Sequence, residues 1–188
     1  FQATPLLVDE TLYYCTPFNR VFALNPETGE EKWIFDPEVD PAGRPLKTCR
    51  GLSSWKDSNK NQADVCYHRI VGITMDVELF SIDGKTGKLC DDFGNKGIVN
   101  LRKGLGNHPD TYYWSSSPPA IIGDKLIVGG SVIDNLSINI PGGVVRAYDI
   151  RTGELIWYWD PIPPGKEAVL DDDGNHLYQR GTANVWSI

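Results

Sequence analysis

Long apolar runs are missing from this chain. No stretch approaches the roughly 18 residues that would cross a bilayer as a helix, and no segment has the makeup of a secretory leader. Basic runs are missing too. Lys and Arg number 18 against 25 Asp and Glu, a formal net charge of -7. Phosphate binding needs clustered cations, so this balance argues against a nucleic-acid partner. The densest charge cluster is acidic, Asp171-Asp172-Asp173, and is read as a solvated turn. Methionine occurs once and histidine three times. Helical patterning is absent as well: no useful window keeps a 3.6-residue apolar period free of Gly or Pro. What is present is 19 Gly, 13 Pro, 6 Trp and 8 Tyr in 188 residues. That is the mixture of a turn-rich, aromatic β protein long enough for a real core. The chain opens on Phe1-Gln2-Ala3-Thr4-Pro5 without a methionine, and the expectation is a processed or excised piece.

The four cysteines, Cys15, Cys49, Cys66 and Cys90, form no CxxC pattern, which argues against a zinc site. Cys15 and Cys90 fall in apparent strands and read as buried thiols. Cys49 and Cys66 flank a polar insertion, Ser53 to Asp64, where a bridge would stabilise by about 3 kcal/mol on the loop-entropy account. A Cys49–Cys66 disulfide, implying an oxidising compartment, stands level with its absence.

Three segments share one grammar: Thr4 to Trp33, Arg69 to Cys90, and Ser117 to Trp157. In each, two short strands lead to a third ending at Asn25, Asp83 or Asp149, then a Thr-Gly turn and a last strand. The turns are Thr28-Gly29, Thr86-Gly87 and Thr152-Gly153, with Gly where a hairpin needs positive φ. Five residues after the Thr stand Trp33 and Trp157; the second repeat has Asp91 there and Phe93 two further on, so its docking aromatic is missing or displaced. Short strands, tight Gly turns and an aromatic per unit predict an all-β fold, part of a β-propeller with one four-stranded blade per repeat. The repeats are expected at about 4–37, 66–94 and 116–161, with 182–188 opening another blade. Three blades do not close a ring, since propellers need roughly four to eight, so the remaining blades are expected elsewhere. A β-sandwich with coincidental turns is the alternative architecture.

The turn pattern from Ala23 to Trp33 and from Ala147 to Trp157 resembles the tryptophan-docking motif of pyrroloquinoline quinone (PQQ) dehydrogenases, which are eight-bladed propellers. Gln2-Ala3-Thr4-Pro5-Leu6, Thr48-Cys49-Arg50-Gly51, Ser117-Pro118-Pro119, Gly129 to Val132 through Asp134-Asn135, and Ala183-Asn184-Val185-Trp186 resemble the membrane-bound glucose and quinate dehydrogenase branch. The resemblance covers essentially the whole chain. It implies a periplasmic enzyme tethered to the inner membrane, oxidising a sugar or cyclic polyol by hydride transfer to PQQ and passing electrons to ubiquinone. The implied cofactors are PQQ and Ca²⁺ or Mg²⁺.

Residue by residue, Asp134 and Asn135 match the pair that binds the metal, and a carboxylate and an amide oxygen are the hard donors such a cation takes. The alternative for an isolated Asp-Asn pair is an Asx turn. Arg50 matches the arginine that contacts the quinone oxygens, where a permanent cation stabilises negative charge on reduction. Trp186 matches the floor under the ring, a role for stacking and burial. Ser116 falls where relatives place a hydroxyl on PQQ, between Ser115 and Ser117. The bland readings are a structural arginine and an ordinary blade aromatic. No catalytic base is named: the resemblance puts it C-terminal to this stretch, and His68, His108 and His176 share no motif and read as structural or exposed. Leu46, where glucose-oxidising members often have histidine, weakens a specific glucose assignment, and Ser53-Ser54-Trp55 also departs from relatives, which often carry tyrosine there. The isolated piece is expected to be inactive. The competing reading is a non-enzymatic PQQ-like propeller scaffold of the outer-membrane assembly type, which has no reason to keep Arg50, Asp134-Asn135 and Trp186 together. A soluble alcohol dehydrogenase of the same superfamily would carry adjacent cysteines, and none are adjacent here.

Overall fold

The computed structural model describes residues 2–43, 47–115, 117–133, 139–162, 170, 172–175, 177–178, 181 and 185. They form three four-stranded antiparallel sheets. Blade I contains β1 (Leu6–Val8), β2 (Thr11–Cys15), β3 (Val21–Leu24) and β4 (Glu31–Phe35). Blade II contains β5 (Ser53–Lys56), β6 (His68–Ile73), β7 (Glu78–Asp83) and β8 (Ile98–Asn100). A short pair, β9 (Tyr113–Trp114) with β12 (Ser131–Val132), accompanies blade III, which is β10 (Ala120–Ile122), β11 (Lys125–Val128), β13 (Val145–Asp149) and β14 (Leu155–Trp159). Strands neighbour one another in chain order within each blade. Among the described residues the helical structure is one 3₁₀ turn, Asp110–Tyr112.

The three Thr-Gly turns are built alike. Asn25, Asp83 and Asp149 each accept hydrogen bonds on Oδ1 from the backbone N–H groups two and three residues on. Each carbonyl then accepts from the glycine four residues on. This closed turn puts Gly29, Gly87 and Gly153 at φ of +76°, +71° and +72°, where a Cβ is disfavoured. The repeated Asx-x-x-Thr-Gly is therefore a backbone requirement.

Blades I and II share one core, joining Tyr13, Val21 and Ala23 to Leu52, Ile70, Phe80 and Ile82. Blades II and III share a second, larger core, in which Val71, Leu79 and Phe93 meet Leu126, Val144 and Ile150. Blade II is thus covered on both faces, which is why β6 and β7 are buried along almost their whole length. Outer strand β14 is exposed throughout, with Trp157 at 41% and Trp159 at 56%.

Trp33 spans the first blade junction. Its indole N–H donates to the Gly84 carbonyl at 3.2 Å, and the Tyr13 hydroxyl donates to the same oxygen at 2.9 Å. A Cβ on Gly87 would lie 2.6 Å from the Trp33 ring. Phe93, by contrast, is fully buried in the second core. Over the blade III turn its place is taken by Gly94, whose N–H donates to the Thr152 carbonyl at 2.7 Å, and by Val99, 2.7 Å from a Cβ built on Gly153. Arg151 adds a charged link: it binds the buried Asp57 and also Asp124, while lying 4.8 Å from the Trp55 ring centroid.

Two sequence expectations are corrected. Blade II runs from Ser53 to Asn100, wider than the expected 66–94, because Ser53–Lys56 pairs with β6 and Ile98–Asn100 with β7. The segment read as a polar insertion supplies the innermost strand. The disulfides are Cys15–Cys49 and Cys66–Cys90, which rules out a Cys49–Cys66 bridge and leaves no free thiol. Strand pairing explains it. Antiparallel folding puts Cys66, just before β6, beside the end of β7, within reach of Cys90. Cys49, just before β5, lies in the first core with Cys15.

Candidate functional site

Strand direction gathers Arg50 and chain neighbours of the other candidate residues at one end of the sheets. In each blade the first strand starts, and the second strand stops, at the same end. Thr4, Gly51 and Pro118 lead into the first strands; Cys15, Ile73 and Gly129 lie at or just beyond the ends of the second. Contacts join them. Thr4 bridges Gly51, and its N–H donates to the Arg50 carbonyl at 2.8 Å. A Cβ on Gly51 would rest 3.6 Å from Pro118. Ser53 Oγ donates to the Pro119 carbonyl, and Ser115 Oγ donates to the Gly129 carbonyl at 3.1 Å. Gly130 bridges Val185. A narrow recess here is lined by Ser115, Ser117, Pro119, Gly129 and Val185.

Arg50 is half-buried at this end, on a backbone fixed between Thr4 and the Cys49 bridge. Ser116, Asp134, Asn135 and Trp186 lie outside the described residues, as do Leu46, His176 and residues 182–184. Their chain neighbours are described: Ser115 and Ser117 line the recess, and Val185 meets Gly130. Ser131, which sequence reading did not single out, is also here. Its hydroxyl is buried and has no hydrogen-bond partner among the described residues, a state that a native structure resolves with a ligand or water. Its only sequence signal was its place in Gly129-Gly130-Ser131.

The remaining histidines are elsewhere. His68 lies 2.8 Å from Ser54 Oγ and edge-on to Tyr13, between blades I and II. Burial holds its imidazole below the usual pKa; Lys56 acts in the same direction, and Asp9 and Asp83 oppose it. His108 stacks on Tyr112. Among the described residues, the metal-capable cluster of Cys66, Cys90 and Asp92 has its sulfurs in a disulfide, and Asp92 binds Arg69 through both oxygens at 2.7 Å. It is a structural cluster. Arg146 is likewise internal, fully buried among Tyr113, Tyr148 and Tyr178. Burial pushes the Tyr148 hydroxyl up to about 12, so Tyr148 stays neutral beside this cation.

Repeated four-stranded antiparallel blades docked through an Asx-x-x-Thr-Gly turn define a β-propeller. The whole chain, residues 1–188, matches the glucose/ethanol/alcohol dehydrogenase β-propeller domain of the PQQ type. The chain belongs to the PQQ-dependent dehydrogenase β-propeller family. It is 38% identical over 99% of its length to the quinoprotein glucose dehydrogenase of Escherichia coli (strain K12). It is 33% identical over 99% to the quinate/shikimate dehydrogenase (quinone) of Acinetobacter baylyi. Each match takes in 24% of the relative, so the chain spans about a quarter of the length of the curated relatives it matches. Among solved structures, the quinohemoprotein alcohol dehydrogenase ADHIIG of Pseudomonas putida HK5 superposes with a TM-score of 0.68 at 25% identity, over 92% of this chain and 22% of that one.

The donor chemistry at this end fits PQQ. The half-buried Arg50 could offer quinone oxygens a permanent cation, and the Ser131 hydroxyl, without a hydrogen-bond partner among the described residues, could offer a neutral donor.

Proposed function

We propose that this chain contributes three blades, and the start of a fourth at 182–188, to the eight-bladed propeller of a periplasmic PQQ-dependent dehydrogenase. The enzyme oxidises a sugar or cyclic polyol of the glucose or quinate type and passes electrons to ubiquinone, with the whole protein tethered to the inner membrane. The observation that carries this reading is 38% identity, sustained over 99% of the chain, to a quinoprotein glucose dehydrogenase. Relatives at 33% identity act, by name, on glycerol and on quinate or shikimate, which favours a polyhydroxylated substrate as a class over glucose alone.

Arg50, Ser116 and Trp186 would hold PQQ, and Asp134 and Asn135 the Ca²⁺ or Mg²⁺. When bound, PQQ supplies a two-electron acceptor, and the cation polarises its carbonyl. The chain's own work is binding and orientation. Arg50 compensates negative charge at the quinone edge, the serine hydroxyls orient it, and Trp186 provides a flat apolar surface that excludes water. The base that takes the substrate hydroxyl proton belongs to the remaining blades.

The test is dye-coupled oxidation by the full-length protein reconstituted with PQQ and Ca²⁺ across glucose, quinate, shikimate, glycerol and ethanol. Turnover of a sugar or cyclic polyol, with none by residues 1–188 alone, is expected. Full activity of the isolated chain would contradict the assignment of the base to other blades. Inactivity of the reconstituted full-length protein on every polyol would overturn the dehydrogenase reading.

A further inference from the structure

We infer that the Cys15–Cys49 disulfide is a positioning device for Arg50, holding the backbone that carries the guanidinium and so setting the affinity for PQQ. The inference rests on the PQQ-binding reading above and adds a residue pair that sequence reasoning assigned differently.

Arg50 lies near the end of the connection from Phe35 to Ser53, in which no strand forms among the described residues. A connection of this length without secondary structure is uncommon in a compact domain and is often functional. Its first half is held by short local bonds, from the Glu38 and Ala42 N–H groups to the Asp36 and Asp40 carboxylates. Near Arg50 two of the non-covalent ties run to the start of the chain. Thr48 Oγ1 meets Gln2 Oε1 at 3.1 Å, and Thr4 N–H reaches the Arg50 carbonyl. Both partners precede β1, where a sheet end frays most readily.

Cys49 adds a covalent tie to these contacts. It is bonded to Cys15, which is 0% exposed and ends β2, an interior strand paired on both sides by β1 and β3. One peptide unit therefore separates Arg50 from a covalent link to one of the best-anchored strands of blade I. A cationic side chain fixed beforehand loses less freedom when its ligand arrives, which raises affinity without a new contact.

The second disulfide is a built-in control. Cys66–Cys90 closes a loop of similar size, a sequence separation of 24 against 34. It lies at the opposite end of blade II, because Ser53 pairs with Val71 while Lys56 pairs with His68. Removing it should cost comparable stability and leave Arg50 alone.

The test is direct titration of PQQ, in Ca²⁺, into the full-length protein, read by PQQ absorbance, with folding followed by circular dichroism. C15A/C49A should raise the Kd by about tenfold, and C66A/C90A by less than about twofold. Arg50→Ala should weaken binding by itself, and adding C15A/C49A to it should cost little more, the non-additivity of two changes acting through one side chain. If C15A/C49A does not fold, C15V/C49A, which removes the bridge but refills part of the volume of the sulfurs, should give the same selective weakening. Wild-type Kd in C15A/C49A, or losses that simply add in the triple variant, would overturn the clamp while leaving the PQQ site intact. A wild-type protein that takes up no PQQ, or an Arg50→Ala variant that binds like wild type, would overturn the reading beneath it.

Discussion

Gly29 and Gly87 occupy the same position in the same turn, with φ of +76° and +71°, yet a Cβ on Gly29 would meet nothing within 4 Å while one on Gly87 would strike Trp33. Alanine at Gly29 should therefore cost only the positive-φ penalty, about 1 kcal/mol. Alanine at Gly87 should cost that plus an overpacking term of about 1–3 kcal/mol. Urea unfolding of the two variants measures the difference, and equal losses would mean that Trp33 gives way freely. A nearby residue carries a pH signature. Burial lowers the folded-state pKa of His68, so the folded state favours the neutral ring. Its contribution is full above the unfolded value of about 6.5 and is lost as pH falls from there through the lowered folded value. His68→Gln should flatten that part of the stability–pH curve, and an unchanged slope would count against the assignment. These turn residues were legible in sequence because a positive φ is a local demand. His68 was not, since Tyr13, which packs edge-on against it, comes from another blade.

At the level of elements, the docking turn has a direction. The outer strand of one blade presents a side chain to the Thr-Gly turn of the next, as Trp33 does to Gly87. Trp157 has the same place in its repeat and is 41% exposed. In residues 1–188 alone, Trp33→Ala should destabilise by roughly 2–3 kcal/mol, and Trp157→Ala by well under 1 kcal/mol. Thermal melts of the two variants compare them directly, and similar losses would contradict the directional account. Sequence reading found the third and fourth strands of blades I and III because Asx-x-x-Thr-Gly and Trp mark them. It missed β5 because Ser53–Lys56 is partly exposed along its whole length and shows no apolar alternation. It missed β8 because the insertion between Cys90 and Ile98 separates that strand from its turn. The disulfides were misassigned for a related reason. Each joins residues brought together by strand pairing or blade packing, and chain separation carries no record of that.

Over the whole molecule, blade II is sealed between two cores while β14 of blade III and the Gly29 turn of blade I lie open. In the proposed eight-bladed ring, neighbouring blades would cover them. At the end that holds Thr4, Gly51 and Gly130, the proposed place of the cofactor, the legibility of the sequence is uneven. The glycines and prolines that bring backbones together, Gly51, Pro118 and Gly130, could be read as a pattern. The unpartnered Ser131 hydroxyl could not, because a missing partner is a property of packing. The most direct test of the account is equilibrium binding of PQQ to the full-length protein with and without divalent cation, in wild type and in Asp134→Ala. The account predicts that wild type binds PQQ in Ca²⁺ or Mg²⁺ and releases it on chelation, and that Asp134→Ala weakens cation-dependent binding by at least about tenfold. PQQ binding that is indifferent both to chelation and to Asp134→Ala would contradict it.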